Sequence, residues 1–334
     1  MKKTKLMTII ASALCVAGLL IGGIGFSALG FDITRTSNLP PFEQNQVDIT
    51  EPVTKIVVDA ASVNTEIIPS SDGAFHISYE ENEKYRYEVN VENGVLTVHQ
   101  VSHWGFFDTF IYGLFEGFST LDKKLVVEVP DTFSGDLTAN LSSGSSSISG
   151  LHSLKAVDTD CGSGYLSIDD IKCETLTAKN SSGQLDVKNS TVSGNFFAQG
   201  MSGGVWVYET SAGGDIEATN SSGWLTLEQV KGQNVTASIS SGDLRLNGVI
   251  SSTVDCRSSS GNIFFDDVDA TRQVYRGSSG GIYGTVVGKM SDYTIHSSAG
   301  SGYNSLPISQ PGGERELEAS ISSGSVKIGF SEES

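Results

Sequence analysis

Several residue sets in this chain have types and spacings that could do chemistry. Gly200-Met201-Ser202-Gly203-Gly204 and Gly277-Ser278-Ser279-Gly280-Gly281 both match the G-x-S-x-G pattern of an exposed nucleophilic serine. That chemistry needs a strand–turn–helix around the serine and a histidine to take its proton. The histidines are His76, His99, His103, His152 and His296, scattered and without zinc-like spacing. No calcium-binding nonapeptide is present, and no acidic column recurs as a polysaccharide-cleaving β-helix would need for its carboxylates. No enzyme, metal site or cofactor is expected. The residues with chemical promise are aromatic: Tyr165, Trp206, Trp224, Phe264, Tyr283 and Tyr303. Flat rings among polar neighbours suit the C–H faces of sugars, and contiguous exposed aromatics mark contact surfaces.

The elements that position these rings repeat. Asn180-Ser181-Ser182-Gly183-Gln184-Leu185-Asp186-Val187 returns as Asn220-Ser221-Ser222-Gly223-Trp224-Leu225-Thr226-Leu227 and as Ser240-Ser241-Gly242-Asp243-Leu244-Arg245-Leu246. The glycines fall at 144, 164, 183, 203, 223, 242, 261, 280, 300 and 324, in steps of 19 or 20 until a last step of 24. A fixed period of this length is a solenoid signature. Two and four residues after the glycine stand apolar columns such as Leu185/Val187 and Leu225/Leu227. A second alternating strand precedes it, as in Ile216/Ala218/Asn220, and a third apolar corner follows at Leu151, Ile171, Val230 and Val249. One coil cannot bury its own apolar face, but a stack makes a continuous core. Parallel crossovers are right-handed with few exceptions. Residues 131–330 are therefore expected to form an all-β, right-handed parallel β-solenoid of about ten coils. The aromatics fall one or three residues after the glycine and point outward. Cys161 and Cys256 point inward, about 24 Å apart by strand spacing and beyond disulfide reach. With Cys173 they read as small buried hydrophobes.

The chain of 334 residues has a net charge of −18, and its first 31 residues carry Lys2, Lys3 and Lys5 but no acid. So acidic a surface repels nucleic acid and anionic lipid headgroups. Residues 6–31 are uncharged and follow the lysines, as in a signal sequence or a signal anchor; their length favours an uncleaved transmembrane helix over a cleaved signal, with everything from Asp32 onward outside the cell. Cell-membrane localisation by a single pass follows from that reading, with the membrane itself a partner through residues 6–31. Residues 32–52 read as a stalk, and residues 53–130 as a β cap domain whose strands are off the 20-residue period. Within it lies an unusually apolar run, 104–118, carrying Trp104, Phe106, Phe107, Phe110, Phe115 and Phe118. It could cover the aromatic column, dip into the membrane or meet a protein partner.

Lys55-Ile56-Val57-Val58-Asp59, Gly94-Val95-Leu96-Thr97-Val98 and Leu125-Val126-Val127-Glu128-Val129-Pro130, followed by the recurring Ser-Gly-x-Leu/Ile phrase, carry a resemblance. Over about residues 50–330 the chain resembles the bacterial "putative adhesin" family of β-strand-repeat proteins, a domain family of unknown function. The resemblance implies an N-terminally tethered surface module with no agreed activity. The expected function is thus a non-catalytic, membrane-anchored envelope module that binds a neutral glycan or a surface protein. The alternative is a β-helix enzyme acting on polysaccharide, which an aligned carboxylate pair on one outer face would favour.

Overall fold

The computed structural model describes residues 42–102 and 123–332, apart from 62 and 84, together with Gly18. The expected span at 6–31 and the aromatic run at 104–118 lie outside the described residues, apart from Gly18. Among the described residues no helix is long and apolar enough to cross a membrane. The chain divides into two compact units. The smaller comprises 1–43, 82–85 and 102–121, and within it the Phe42 and Tyr85 rings lie 6.0 Å apart. The larger comprises 44–81, 86–101 and 122–334 and holds the repeats.

The larger unit is a parallel β-solenoid of the right-handed type with about nine turns in its regular column. Period-2 alternation puts one face of each strand inward. Leu166, Leu185, Val205, Leu225, Leu244 and Ile263 stand opposite one another in successive coils, and all are fully buried. The facing wall carries Ala178, Ala198, Ala218 and Ala237, also in register and fully buried. Small residues there let the two walls approach.

The Ser-Gly corner depends on glycine. Nine glycines (144, 164, 183, 203, 223, 242, 261, 280 and 324) hold φ between 108° and 141°. A Cβ on Gly223 would overlap the Gly203 carbonyl oxygen of the coil before it. Backbone conformation and stacking therefore both require glycine at this corner. Gly300 is not a member of the column. Gly302 stacks against Gly324, because the last two coils run at an offset of 22 residues. A second corner repeats six residues after the glycine. Asp170, Asn189, Glu209, Gln229 and Asp267 all sit near φ +50° there, with Gly248 at 62°. Asp170, Asn189, Glu209, Gln229 and Gly248 each donate their N–H to a carbonyl of the next coil, as Asn189 does to Tyr208. Asp and Asn tolerate this left-handed conformation, whereas Glu209 and Gln229 hold it at some cost.

Space order and chain order diverge at both ends. Lys55–Ala60 lies between Val95–Ser102 on one side and Asp136–Leu141 on the other. Residues 53–130 thus supply strands in register with the repeat, although they are off its period in sequence. At the other end, Arg315–Phe330 lies between Ile263–Val286 and Tyr293–Ala299. Near each end an antiparallel strand joins the stack: Phe75–Glu81 against Lys124–Val129, with Glu43–Ile49 paired beyond it, and Ser309–Gln310 against Tyr293–Ala299. Such closure blunts the open edge that a parallel stack would present.

Candidate functional site

The outer face of the strand that follows the Ser-Gly corner carries the six aromatics in two columns. Tyr165, Trp224 and Tyr303 stand one residue after their glycines, and Trp206, Phe264 and Tyr283 stand three after theirs. The columns are interrupted by charge: Asp186 stands opposite Trp206, Asp243 opposite Trp224, Arg245 opposite Phe264, and Lys327 opposite Tyr283.

The interruptions divide the rings into distinct environments. Phe264 and Tyr283 stack at 5.6 Å and 26°. The Arg245 guanidinium lies 4.6 Å from the Phe264 centroid, and the Lys327 ammonium 5.9 Å from that of Tyr283. Both rings are half-buried in a run of cation, ring, ring, cation that satisfies itself. Tyr165 donates its hydroxyl to Asp186 Oδ2 at 2.7 Å, and Gln184 holds the other oxygen of that carboxylate. Burial, and then the bond to Asp186, keep the Tyr165 phenol above the ordinary tyrosine range. Tyr303 is exposed at the far end of the stack.

Trp206 and Trp224 differ from the rest. They occupy consecutive coils on a diagonal and are 41% and 48% exposed. A Cβ on Gly204 would overlap the Trp224 indole, so the ring lies across the bare backbone of the preceding coil. Asn220 fixes the corner from inside. Its Nδ2 donates to the Gly203 carbonyl at 3.0 Å and to Trp224's own carbonyl at 2.8 Å. Asn180 makes the same pair of bonds around Gln184. The Asn-Ser-Ser-Gly phrase is thus the device that holds the residue after the glycine outward. Gly204 as a seat for an indole is legible only once the register is known.

Trp104, Phe106, Phe107, Phe110, Phe115 and Phe118 lie outside the described residues. Both G-x-S-x-G matches fall inside strands at Ser-Gly corners, without the helix a nucleophile elbow needs. Cys161, Cys173 and Cys256 are free and buried, and burial pushes all three thiols up, Cys173 to about 12. One polar constellation went unrecognised in the sequence. His99, Asp59, Asn140 and Asp160 stand in register on the outer face of the other wall. Asp59 and Asn140 are 81 positions apart, and no 20-residue period points from one to the other.

Fold and outer face together define a β-solenoid, a repeat scaffold that displays side chains on a regular lattice. The chain belongs to the Toastrack DUF4097 family, whose profile matches residues 53–212 and again 189–334. A double match is what an internally repeated scaffold gives. Among solved structures, the chain is similar to a "putative adhesin" from Bacteroides fragilis NCTC 9343, at 12% identity and a TM-score of 0.33, covering 87% of this chain and 98% of that one. It is similar to a "putative adhesin" from Parabacteroides distasonis ATCC 8503, at 14% identity and a TM-score of 0.40, covering 86% and 97%. A "putative lipid binding protein" from the same strain aligns at 12% identity and a TM-score of 0.36, covering 85% and 96%. No curated protein matches the chain.

Proposed function

We propose that this protein is a membrane-anchored, extracytoplasmic, non-catalytic module that binds an extended neutral envelope glycan through its aromatic face. One observation carries the reading: Trp206 and Trp224 form an open diagonal pair, one indole laid flat over Gly204 and half-exposed. Such a ring presents an apolar plane to the C–H face of a sugar, and neighbouring polar groups meet its hydroxyls. Tyr165 and Tyr303 extend the track along the stack, so weak contacts add. The net charge of −18 disfavours anionic polymers. The anchor rests on the uncharged run 6–31 behind three lysines.

The test is retention of the full-length chain on isolated cell wall, wild type against Trp206→Ala/Trp224→Ala. Wild type should be retained and the double variant lost, with melting temperatures within a few degrees of each other, since both rings are already half in water. Equal retention of the two would sink the reading. Loss of retention after protease treatment of the wall would replace the glycan with a surface protein. Protease shaving of intact cells should digest the solenoid, and its protection would overturn the topology.

A further inference from the structure

The tryptophan pair has a shape and a polar rim that narrow what it can hold. Trp224 springs from one coil, but its indole lies over Gly204 of the coil before, where a Cβ would overlap the ring. Trp206 stands two residues further along that preceding coil, so the two ring seats are about 6.6 Å apart on a single strand. The floor they make runs along the strand, and a ligand that rests on both rings must present two flat units in one plane.

One coil earlier, Gln184 faces Gly204 and Asp186 faces Trp206. Same-face neighbours on adjacent strands are about 4.8 Å apart, within reach of a group seated on the indoles. The Asp186 carboxylate is held from two directions. Tyr165 donates its hydroxyl to Oδ2 at 2.7 Å, and Gln184 Nε2 donates to Oδ1 at 2.8 Å. An ionised carboxylate has about four acceptor positions, so these two bonds leave others open. Lys188, the next outward residue of that strand, pairs with Asp169 at 3.3 Å instead. The floor is therefore bordered by an anionic acceptor whose orientation is fixed before any ligand arrives.

A pyranose lies flat on an indole when its ring substituents are equatorial, because only C–H bonds then project from its face. Two consecutive sugars keep that attitude in one plane when the linkage is β-1,4, whereas an α-1,4 linkage turns each sugar away from the last. Equatorial O–H and N–H donors project sideways from such a ribbon, toward the rim.

We propose that the tryptophan pair selects a neutral, β-1,4-linked ribbon with equatorial substituents, and that Asp186 is its specificity-determining residue, accepting from vicinal donors of the sugar on Trp206. This rests on the glycan-binding role of the pair. Tyr165 is a positioning residue that acts through Asp186. The test titrates the full-length chain in detergent micelles, by calorimetry, with cellotetraose, chitotetraose and maltotetraose. At least one β-linked tetramer should bind saturably, and maltotetraose at least about tenfold more weakly than the better of the two. Asp186→Asn keeps the shape and should weaken that binding by about tenfold, and Tyr165→Phe by a smaller factor. In the Asp186→Asn background Tyr165→Phe should change binding no further, and additive losses would overturn its positioning role. Retention on isolated cell wall, run alongside, tests the glycan-binding role itself. If retention depends on Trp206 and Trp224, but neither β-linked tetramer binds, maltotetraose binds equally well, or Asp186→Asn has no effect, this inference falls and that role stands. Absence of both retention and tetramer binding overturns the two together.

Discussion

The centre of the solenoid and its two ends are built on different terms. Between residues 154 and 247, each coil lies against the coils that precede and follow it in sequence. Its core is mostly Leu, Val, Ile and Ala, with Phe196, Cys161 and Cys173 among them, and its corners all end in Ser-Gly, preceded by Asn-Ser at 180–181 and 220–221. At the ends, strands are inserted out of order, at offsets of 81 residues near the N-terminus and 44 near the C-terminus. The cores change with them. Tyr275 replaces the alanine of the inner wall, and Gly284 replaces the aliphatic residue opposite, so total volume is conserved across the coil. Phe265 stacks on Tyr275 at 4.0 Å and 4°. Around them the fully buried Gln273 accepts from the Tyr275 hydroxyl, and Arg315 bridges Tyr293 and Asp269. Local repetition suffices in the middle because each interface copies the last. An end has a neighbour on one side only and needs specific, non-repeated contacts to close.

Leu225→Asp tests the centre hardest. It removes a fully buried side chain and introduces an unpaired charge, so it should destabilise by about 4 kcal/mol or more. Amide exchange should open in the coils on both sides, 196–247. Exchange confined to one coil would mean that the interfaces are less coupled than their register implies.

Tyr275→Ala tests the C-terminal end. It opens a cavity beside Phe265 and should cost roughly 3 kcal/mol. The loss of protection should concentrate in 263–330 and leave 157–230 unchanged. Uniform loss would erase the distinction between end and centre.

A smaller effect belongs to the N-terminal end. His76 donates from Nδ1 to Asp48 at 2.7 Å and from Nε2 to Asp72 at 2.9 Å, tying Glu43–Ile49 to Phe75–Glu81. The bonds to Asp48 and then Asp72 raise its pKa from 6.5 to about 9. The clamp is therefore complete below about pH 6.5, and its contribution is lost as pH rises through about 9. Asp72 is drawn from 3.8 down to about 2, first by His76, so its share is lost only as pH falls through that lower range. Exchange rates in Phe75–Glu81, corrected for intrinsic pH dependence, should rise between pH 6.5 and 9 in wild type and stay flat in His76→Gln. A flat wild-type profile would remove the clamp from the account.

Trp224→Ser should have the least effect on stability, under about 1 kcal/mol by denaturant unfolding, because the ring is 48% exposed. It stands one residue from Leu225, so a cost equal to that of Leu225→Asp would mean that the outer face is core.

The period, the inward columns and the outward placement of Tyr165, Trp206 and Trp224 were all legible in the sequence. Each follows from residues within a single coil and from a period of 2 along a strand. The left-handed second corner was not read from the sequence: Asp170, Asn189, Gly248 and Asp267 are residue types that accept positive φ, but Glu209 and Gln229 interrupt the column. Gly300 and Gly302 were not separable by eye, because the step that distinguishes them belongs to an inserted strand.

What the sequence determined by itself is the repeating unit: strand alternation and a glycine corner are local and encoded every 19 or 20 residues, with an asparagine staple added at Asn180 and Asn220. What only the tertiary structure decided is which coils meet at the ends and which outward side chains share a surface. Lys55–Ala60 stacks on Asp136–Leu141, and Arg315–Phe330 fills the gap beside Ile263–Val286. Most hydrogen bonds joining coils are backbone bonds, the same between any two strands, so they carry no label of sequence separation. Side-chain volume, as where the Phe265 ring stacks on Tyr275 and fills the space that a side chain at Gly284 would need, and the need to close an exposed edge select the partner. The pairing of Phe264 and Tyr283 between two cations, the seat of Trp224 on Gly204, and the row of Asp59, Asn140 and Asp160 all follow from that selection.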